Sequence, residues 1–92
     1  MPTTPNTPED TQATIIGDAT VEPGKHTTVP VGPFGLAVTP PDLVFRLSDD
    51  TPKTAISTSV ERVTKGQQYT LVAWIWNFDT QPHTVTVVTL PD

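Results

Sequence analysis

The chain has 92 residues, a net charge of -5 and no cysteine. Its length allows one domain with a small core, and the lack of cysteine excludes disulfides and thiol chemistry. The excess of acidic residues argues against nucleic-acid and membrane-surface partners. No stretch approaches the roughly 20 apolar residues of a spanning helix. The N-terminus lacks the basic and apolar segments of a secretory signal, which predicts synthesis and retention in the cytoplasm.

The first twelve residues predict a flexible arm. After Met1 they carry no apolar side chain other than proline rings, so they bury too little surface to offset the entropy lost on ordering. The prolines favour a mobile or polyproline-like segment. We therefore divide the chain into an arm at 1–12 and a β domain at 13–92. The arm residues singled out by this pattern are Pro2, Pro5 and Pro8.

Beyond the arm, short β-type segments alternate with turn residues. The 11 prolines and abundant threonine favour strands and turns, and no segment keeps a helical period. The pattern predicts an all-β fold, an antiparallel β-sandwich of about six to seven strands with little or no helix. The predicted strands are 13–16, 19–22, 26–31, 43–47, 54–63, 68–78 and 83–90.

Turn residues predict how neighbouring strands pair. The Pro-Gly pair at 23–24 favours a type II turn, so strands 19–22 and 26–31 are expected to form a hairpin. Strands 68–78 and 83–90 are joined by a short polar loop and are likewise expected to pair antiparallel.

The middle of the chain is less regular. Residues 32–41 are too rich in Gly and Pro for a central strand, and they predict either a long connection or an edge strand. The next segment, 43–47, alternates apolar and other residues. Its predicted core residues are Leu43, Phe45 and Leu47.

Segment 68–78 is apolar on both of its faces, whereas a sandwich strand normally offers one face to water. One parity carries Tyr69, Leu71, Ala73 and Ile75, and the other carries Val72, Trp74, Trp76 and Phe78. The second face is covered either within the chain, by the connection at 34–38 or by the chain ends, or by another molecule. The predicted anchors, in core or interface, are Tyr69, Trp74, Trp76 and Phe78.

A narrower interpretation of the same segment is a sugar-binding platform. Trp74 and Trp76 lie about 7 Å apart along one face of an extended strand. Their neighbours on that parity, Val72 and Phe78, are apolar, whereas a carbohydrate site also needs polar groups beside its aromatic rings.

The sequence contains no recognisable catalytic, metal or cofactor motif. His26 and His83 are the candidate bases for activating a nucleophile, and each opens a predicted strand, where a solvated histidine is expected. Acidic residues lack the spacing of a calcium loop. The pair at 49–50 precedes Thr51-Pro52 and predicts a turn, with a weak cation site as the alternative. We expect no enzymatic activity and no cofactor.

The segment from Arg62 to Asp79 resembles immunoglobulin-like bacterial and phage β-sandwich modules. In those modules a Lys-Gly turn leads into a strand that ends in Asn, and Gly66 and Asn77 carry that likeness here. The resemblance covers the last third of the chain. It implies an Ig-like form of the predicted sandwich.

The chain as a whole is similar to accessory structural proteins of tailed-phage virions, especially head decoration proteins. That resemblance implies a virion protein made in the host cytoplasm, which binds the major capsid protein or another virion protein and stabilises the capsid. It also implies a homo-oligomer, with a trimer expected. Tail and neck proteins of such virions share the same general features. The alternative function is a surface adhesion module that binds protein or carbohydrate.

Overall fold

The computed structural model describes residues 13–48 and 50–90. The predicted arm, with Pro2, Pro5 and Pro8, lies outside the described residues, as does Asp49. Among the residues described, no helix is long and apolar enough to cross a membrane.

Six strands and one short 3-10 helix make up the described chain. The strands are β1 (Thr14–Val21), β2 (His26–Gly35), β3 (Asp42–Leu47), β4 (Ile56–Lys65), β5 (Gln68–Asn77) and β6 (His83–Leu90), and the 3-10 helix covers Lys53–Ala55. They form two antiparallel sheets, sheet A in the order β1-β6-β3 and sheet B in the order β2-β5-β4. The two sheets pack against each other, which confirms the predicted all-β sandwich with little helix.

The core lies between the two central strands, β5 and β6. Side chains alternate between the two faces of a strand, and in both strands the inward parity is apolar. The buried cluster consists of Val21, Val31, Tyr69, Leu71, Ala73, Ile75, Val85 and Val87. Leu43, Phe45 and Leu47 pack against this cluster, as the alternation in their segment predicted.

The prediction of two short strands near the start of the domain is wrong. Instead, β1 continues through Gly17 and Asp18, and its pairing with β6 shifts register between Ile15 and Gly17. Glycine inside a strand weakens pairing locally but can be absorbed as a β-bulge. The residues that suggested a break therefore mark an irregularity within one strand.

Neither predicted hairpin is present. The type II turn itself forms, because the N–H of Lys25 donates to the carbonyl of Glu22 at 3.0 Å and Gly24 has a φ of 71°. However, it connects β1 in sheet A to β2 in sheet B. Likewise, β5 joins sheet B and β6 joins sheet A. Stacking the two most apolar strands across the core buries their inward faces against each other, which pairing within one sheet would not do.

Residues 32–41 were predicted to form either a long connection or an edge strand, and their first part is an edge strand. β2 continues to Gly35, with a register shift between Val31 and Phe34. The end of β2 and the turn after it cover the core side of β5. The ring of Phe34 lies 5.4 Å from that of Tyr69, and the Tyr69 hydroxyl donates to the carbonyl of Val38 at 2.7 Å. This connection therefore does not cover the tryptophan side of β5.

Candidate functional site

The structure places the four predicted anchors in three different environments. Tyr69 is buried in the core. Trp74 and Trp76 are half-buried on the opposite, outer face of sheet B. Phe78 follows the end of β5 and is 69% exposed. The sequence left undecided which face of the 68–78 segment lies in the core. Sheet A packs against the Tyr69 side of this segment, so the Trp74 and Trp76 side is the outer face.

Three rings cluster on the outer face of sheet B. Trp74 and Trp76 have ring centroids 5.6 Å apart and planes within 15° of parallel, an offset stack of the kind that aromatic pairs prefer. The ring of His26 lies 5.6 Å from that of Trp74 and 6.3 Å from that of Trp76. We call these three residues and Val72 the aromatic face. Its rings cover part of one another, and both tryptophans are half-buried.

Small polar residues on the neighbouring strands surround the aromatic face. In the sheet register Trp74 lies between Thr28 of β2 and Ser59 of β4. The indole N–H of Trp74 donates to Oε1 of Glu61 at 3.1 Å. These polar neighbours are distant in sequence from β5, and the strand itself offers only apolar neighbours on that parity. The aromatic face therefore combines apolar rings with polar neighbours. The indole N–H of Trp74 already has a hydrogen-bond acceptor.

A second cluster surrounds His83, and the expectation that this histidine is a solvated surface residue is wrong. His83 is only 9% exposed. Its Nε2 lies 2.7 Å from Oδ2 of Asp79, and its Nδ1 lies 3.2 Å from the hydroxyl of Thr51. The sequence held a signal for this, because His83 has the same parity as the core residues Val85 and Val87. His26, in contrast, is exposed as expected.

The order hydroxyl, imidazole, carboxylate is the one found in catalytic triads. A nucleophile, however, must present its oxygen to a substrate. Thr51 is buried, and its hydroxyl already lies 2.6 Å from that of Ser48 as well as beside His83. We therefore interpret the cluster as a clamp that fastens the turn before the 3-10 helix to the β5–β6 loop.

Asn77 fastens the same loop from the other side. It is 1% exposed, and its Nδ2 donates to the carbonyls of Val21 and Gln81, both at 2.8 Å. Its Oδ1 accepts from the backbone N–H of Asp79 at 2.8 Å. Gly66, the other residue of the family resemblance, has a φ of 61° in the β4–β5 turn, a conformation that favours glycine. Both residues thus have structural roles.

The clamp predicts a specific loss of stability in acid. The hydrogen bond with His83, helped by the backbone N–H of Thr80, lowers the pKa of Asp79 below its ordinary value of 3.8. A group whose pKa is lower in the folded state stabilises the fold above its unfolded pKa, and this contribution disappears as the pH falls through the folded value. Asp79→Asn is therefore expected to lower the melting temperature at pH 7, with the difference from wild type shrinking below about pH 4.

Thermal unfolding followed by circular dichroism between neutral pH and about pH 2 would check this, because the acid limb of a paired Asp falls in that range. His83→Gln, which removes the main cause of the shift, is the matched variant and should flatten the same acid limb. A constant difference between Asp79→Asn and wild type at every pH would contradict this account of Asp79.

A turn is present at Asp50, whereas Asp49, the other residue of the predicted turn, lies outside the described residues. The N–H of Thr51 donates to the carbonyl of Ser48 at 2.9 Å, and the Ser48 hydroxyl donates to Oδ1 of Asp50 at 2.8 Å. Within the ranges 13–48 and 50–90, no three His, Cys, Asp or Glu side chains are grouped so that they could hold a metal ion.

The aromatic face presents its rings on the outer side of sheet B, whereas Thr51 and His83 of the other cluster are buried, so the aromatic face is the candidate functional site. Its rings come from two strands, β2 and β5, and its polar rim from β2 and β4. The hydrogen-bonded ladder of sheet B holds them in fixed relative positions, which suits a binding surface. Comparisons of the chain with protein-family models, with curated proteins and with solved structures found no match.

Proposed function

We propose that this protein is a non-catalytic structural component of a virion, which binds the assembled capsid through the aromatic face and stabilises it. The observation that supports the proposal is the pair of tryptophans on the solvent side of a central strand. Tryptophan is enriched among the residues that dominate protein interfaces. A partner that covers Trp74 and Trp76 would bury ring surface that the chain by itself leaves half-exposed.

The surroundings of the tryptophans suit docking onto another protein. Thr28 and Ser59 are small, so a partner can reach the rings without steric hindrance. Phe78, at the end of the same strand, adds the most exposed apolar side chain among the described residues. The chain is acidic, with a net charge of -5, and so favours a neutral or basic patch on the partner.

Stabilisation in this proposal follows from mass action. A protein that binds the assembled shell and not its dispersed subunits shifts the equilibrium towards the shell. The major capsid protein is the proposed partner, and a tail or neck protein of the virion is the nearest variant of the same idea. The arm at 1–12 would add contacts to a neighbouring subunit on binding.

Trp76→Ala is expected to weaken capsid binding by about 2 kcal/mol, or roughly 30-fold, because it removes an anchor of the interface. Co-sedimentation with assembled shells of a major capsid protein would measure it. Trp74→Ala should have a similar effect, although it also leaves Glu61 without its indole donor.

The matched control is Ile15→Ala, which shortens an exposed apolar side chain of sheet A, on β1. Its affinity should equal that of wild type. Circular dichroism would establish that each variant is folded at the temperature of the assay. Wild-type affinity in both tryptophan variants would exclude the aromatic face as the docking surface.

Carbohydrate binding is the second candidate, and the polar rim supports it. Thr28, Ser59 and Glu61 supply the hydrogen-bonding groups beside the tryptophans that the strand alone did not show. Against it, Trp74 and Trp76 stack on each other and cover part of the ring faces that a sugar would need. Titration with oligosaccharides in the absence of capsid shells discriminates the two functions. A bound glycan would quench tryptophan fluorescence, whereas a protein that binds only capsids would show no change.

A further inference from the structure

The four sheet edges of the sandwich differ in how well they could accept another strand. β1 contains a bulge, β2 contains a bulge and two prolines, and β3 has only 6 residues. β4 has 10 residues, contains no proline, and pairs with β5 without a register shift. Bulges, prolines and short length are the usual devices that prevent edge pairing. β4 has none of these three.

The hydrogen-bond pattern shows which β4 residues direct their backbone to this free edge. The N–H of Phe78 donates to the carbonyl of Ala55 at 2.8 Å, which marks a hydrogen-bonded pair. Such pairs alternate in an antiparallel ladder. The backbone groups of every second residue therefore point away from β5, and these residues are Ile56, Thr58, Val60, Arg62 and Thr64.

The opposite edge of sheet B, formed by β2, is blocked. The N–H of Asn77 donates to the carbonyl of Lys25 at 2.9 Å, so the backbones of His26, Thr28 and position 30 point outward on β2. Position 30 is a proline, which has no N–H to offer. Sheet B is thus closed to a new strand at β2 and open at β4.

Charged side chains often guard an exposed edge, but Glu61 and Arg62 in the middle of β4 are directed back over β5, and the third charged residue, Lys65, is the last residue of the strand. Glu61 accepts the hydrogen bond of the Trp74 indole on the outer face. On the core side, Cζ of Arg62 lies 4.0 Å from the centroid of the Tyr69 ring, a cation–π contact. Both charges are engaged within the chain, and the edge backbone beside them is left accessible.

We propose that β4 pairs with β4 of a second copy of this chain, antiparallel and about a two-fold axis at Val60. In this register Val60 lies opposite its own copy, Thr58 opposite Arg62, and Ile56 opposite Thr64. Directly opposite positions then carry no like charges. Moving the axis to Glu61 or Arg62 would place that residue opposite its own copy, which is unfavourable.

The second copy also covers apolar surface that a single chain exposes. Val60 is 45% exposed and Val63 is 42% exposed. In the proposed register Val63 packs beside Ser57 of the second copy on the outer face. The prolines of the arm at positions 2, 5 and 8 lack the N–H that an added strand must donate, so the arm is a poorer occupant of this edge than β4 itself.

The assembly closes at two copies, because a two-fold pairing uses the β4 edge, which is the open edge of sheet B among the described residues, in each chain. This differs from the trimer expected from the virion resemblance. Opposite residues in the pairing share a face of the sheet, so the two aromatic faces would lie on the same side of one continuous sheet. The inference does not depend on the proposed virion function.

Proline substitution tests the edge directly. Thr58→Pro removes an outward N–H on β4 without removing a bond to β5, and should convert the dimer to a monomer in sedimentation equilibrium. Thr28→Pro is the matched control, because it removes an outward N–H on the already blocked β2 edge and should leave the dimer intact. A Thr58→Pro variant that remains dimeric, or a wild-type chain that is monomeric at the highest concentration reached, would overturn the proposal.

Cross-linking provides a second test that does not require proline to be tolerated. Because the chain has no cysteine, a single introduced thiol can link only to another copy. Val60→Cys is expected to give a covalent dimer on oxidation or with a short bifunctional thiol reagent, since the two positions lie opposite each other. Val63→Cys, equally exposed but several residues from the axis, should stay uncross-linked. Equal cross-linking of the two variants, or none in either, would refute the register.

Discussion

Truncating Ile75 to alanine is expected to lower the free energy of unfolding by about 2–5 kcal/mol. Ile75 is 0% exposed and lies on β5, in the middle of the cluster between the two sheets. Its removal leaves a cavity that the flanking strands cannot close without breaking their ladders. A domain of this size has a total stability of roughly 5–15 kcal/mol at most, so the variant should lose a large share of its stability and unfold at a clearly lower urea concentration.

Urea unfolding followed by tryptophan fluorescence would measure the change, because Trp74 and Trp76 report on sheet B from its outer face. Val38→Ala is the matched control, since Val38 is exposed in the turn after β2 and only its carbonyl is used, by Tyr69. It should stay within about 0.5 kcal/mol of wild type. An Ile75→Ala variant as stable as this control would show that the core is not where the structure places it.

Replacing Asn77 with alanine is expected to cost roughly 3 kcal/mol of folding free energy, because it leaves one buried and two partly buried backbone groups without a partner. The carbonyls of Val21 and Gln81 would lose their donor, and the N–H of Asp79 would lose its acceptor. Asn77→Asp should be at least as harmful at neutral pH, since a carboxylate would then face the two carbonyl oxygens that now accept from Nδ2.

Gln81→Ala is the control for this loop. Asn77 bonds to the backbone carbonyl of residue 81 and not to its side chain, so the change should leave the network intact and the stability within about 0.5 kcal/mol of wild type. Denaturant unfolding of the three variants under one condition would compare them. If Asn77→Ala and Gln81→Ala were equally stable, the amide network could not be what closes the β5–β6 loop.

β5 has a different role on each of its two faces. On its core side β5 supplies Ile75 and the other central residues of the sandwich. On its outer side the same strand presents Trp74 and Trp76. A core substitution would therefore weaken binding only through the unfolded fraction, whereas Trp76→Ala acts on the bound surface itself. Measuring affinity at a temperature where both variants are folded separates the two effects.

Much of the local structure followed from residue patterns. Alternation of apolar side chains predicted β3 and its inward residues Leu43, Phe45 and Leu47, and it predicted β5 and β6 nearly to their ends. Proline and glycine at positions 23–24 predicted the type II turn. These features depend on interactions between near neighbours in the chain, which a sequence displays directly.

The sequence by itself also showed that 68–78 has two apolar faces, but tertiary structure decided what each face does. Which sheet a strand joins depends on long-range burial, and for that reason β5 and β6 stack across the core and do not form the expected hairpin. The polar rim of the aromatic face comes from β2 and β4, and the partners of His83 come from two loops. Such contacts join residues far apart in the chain, and their free energy depends on the packing of both sheets, which no local pattern records.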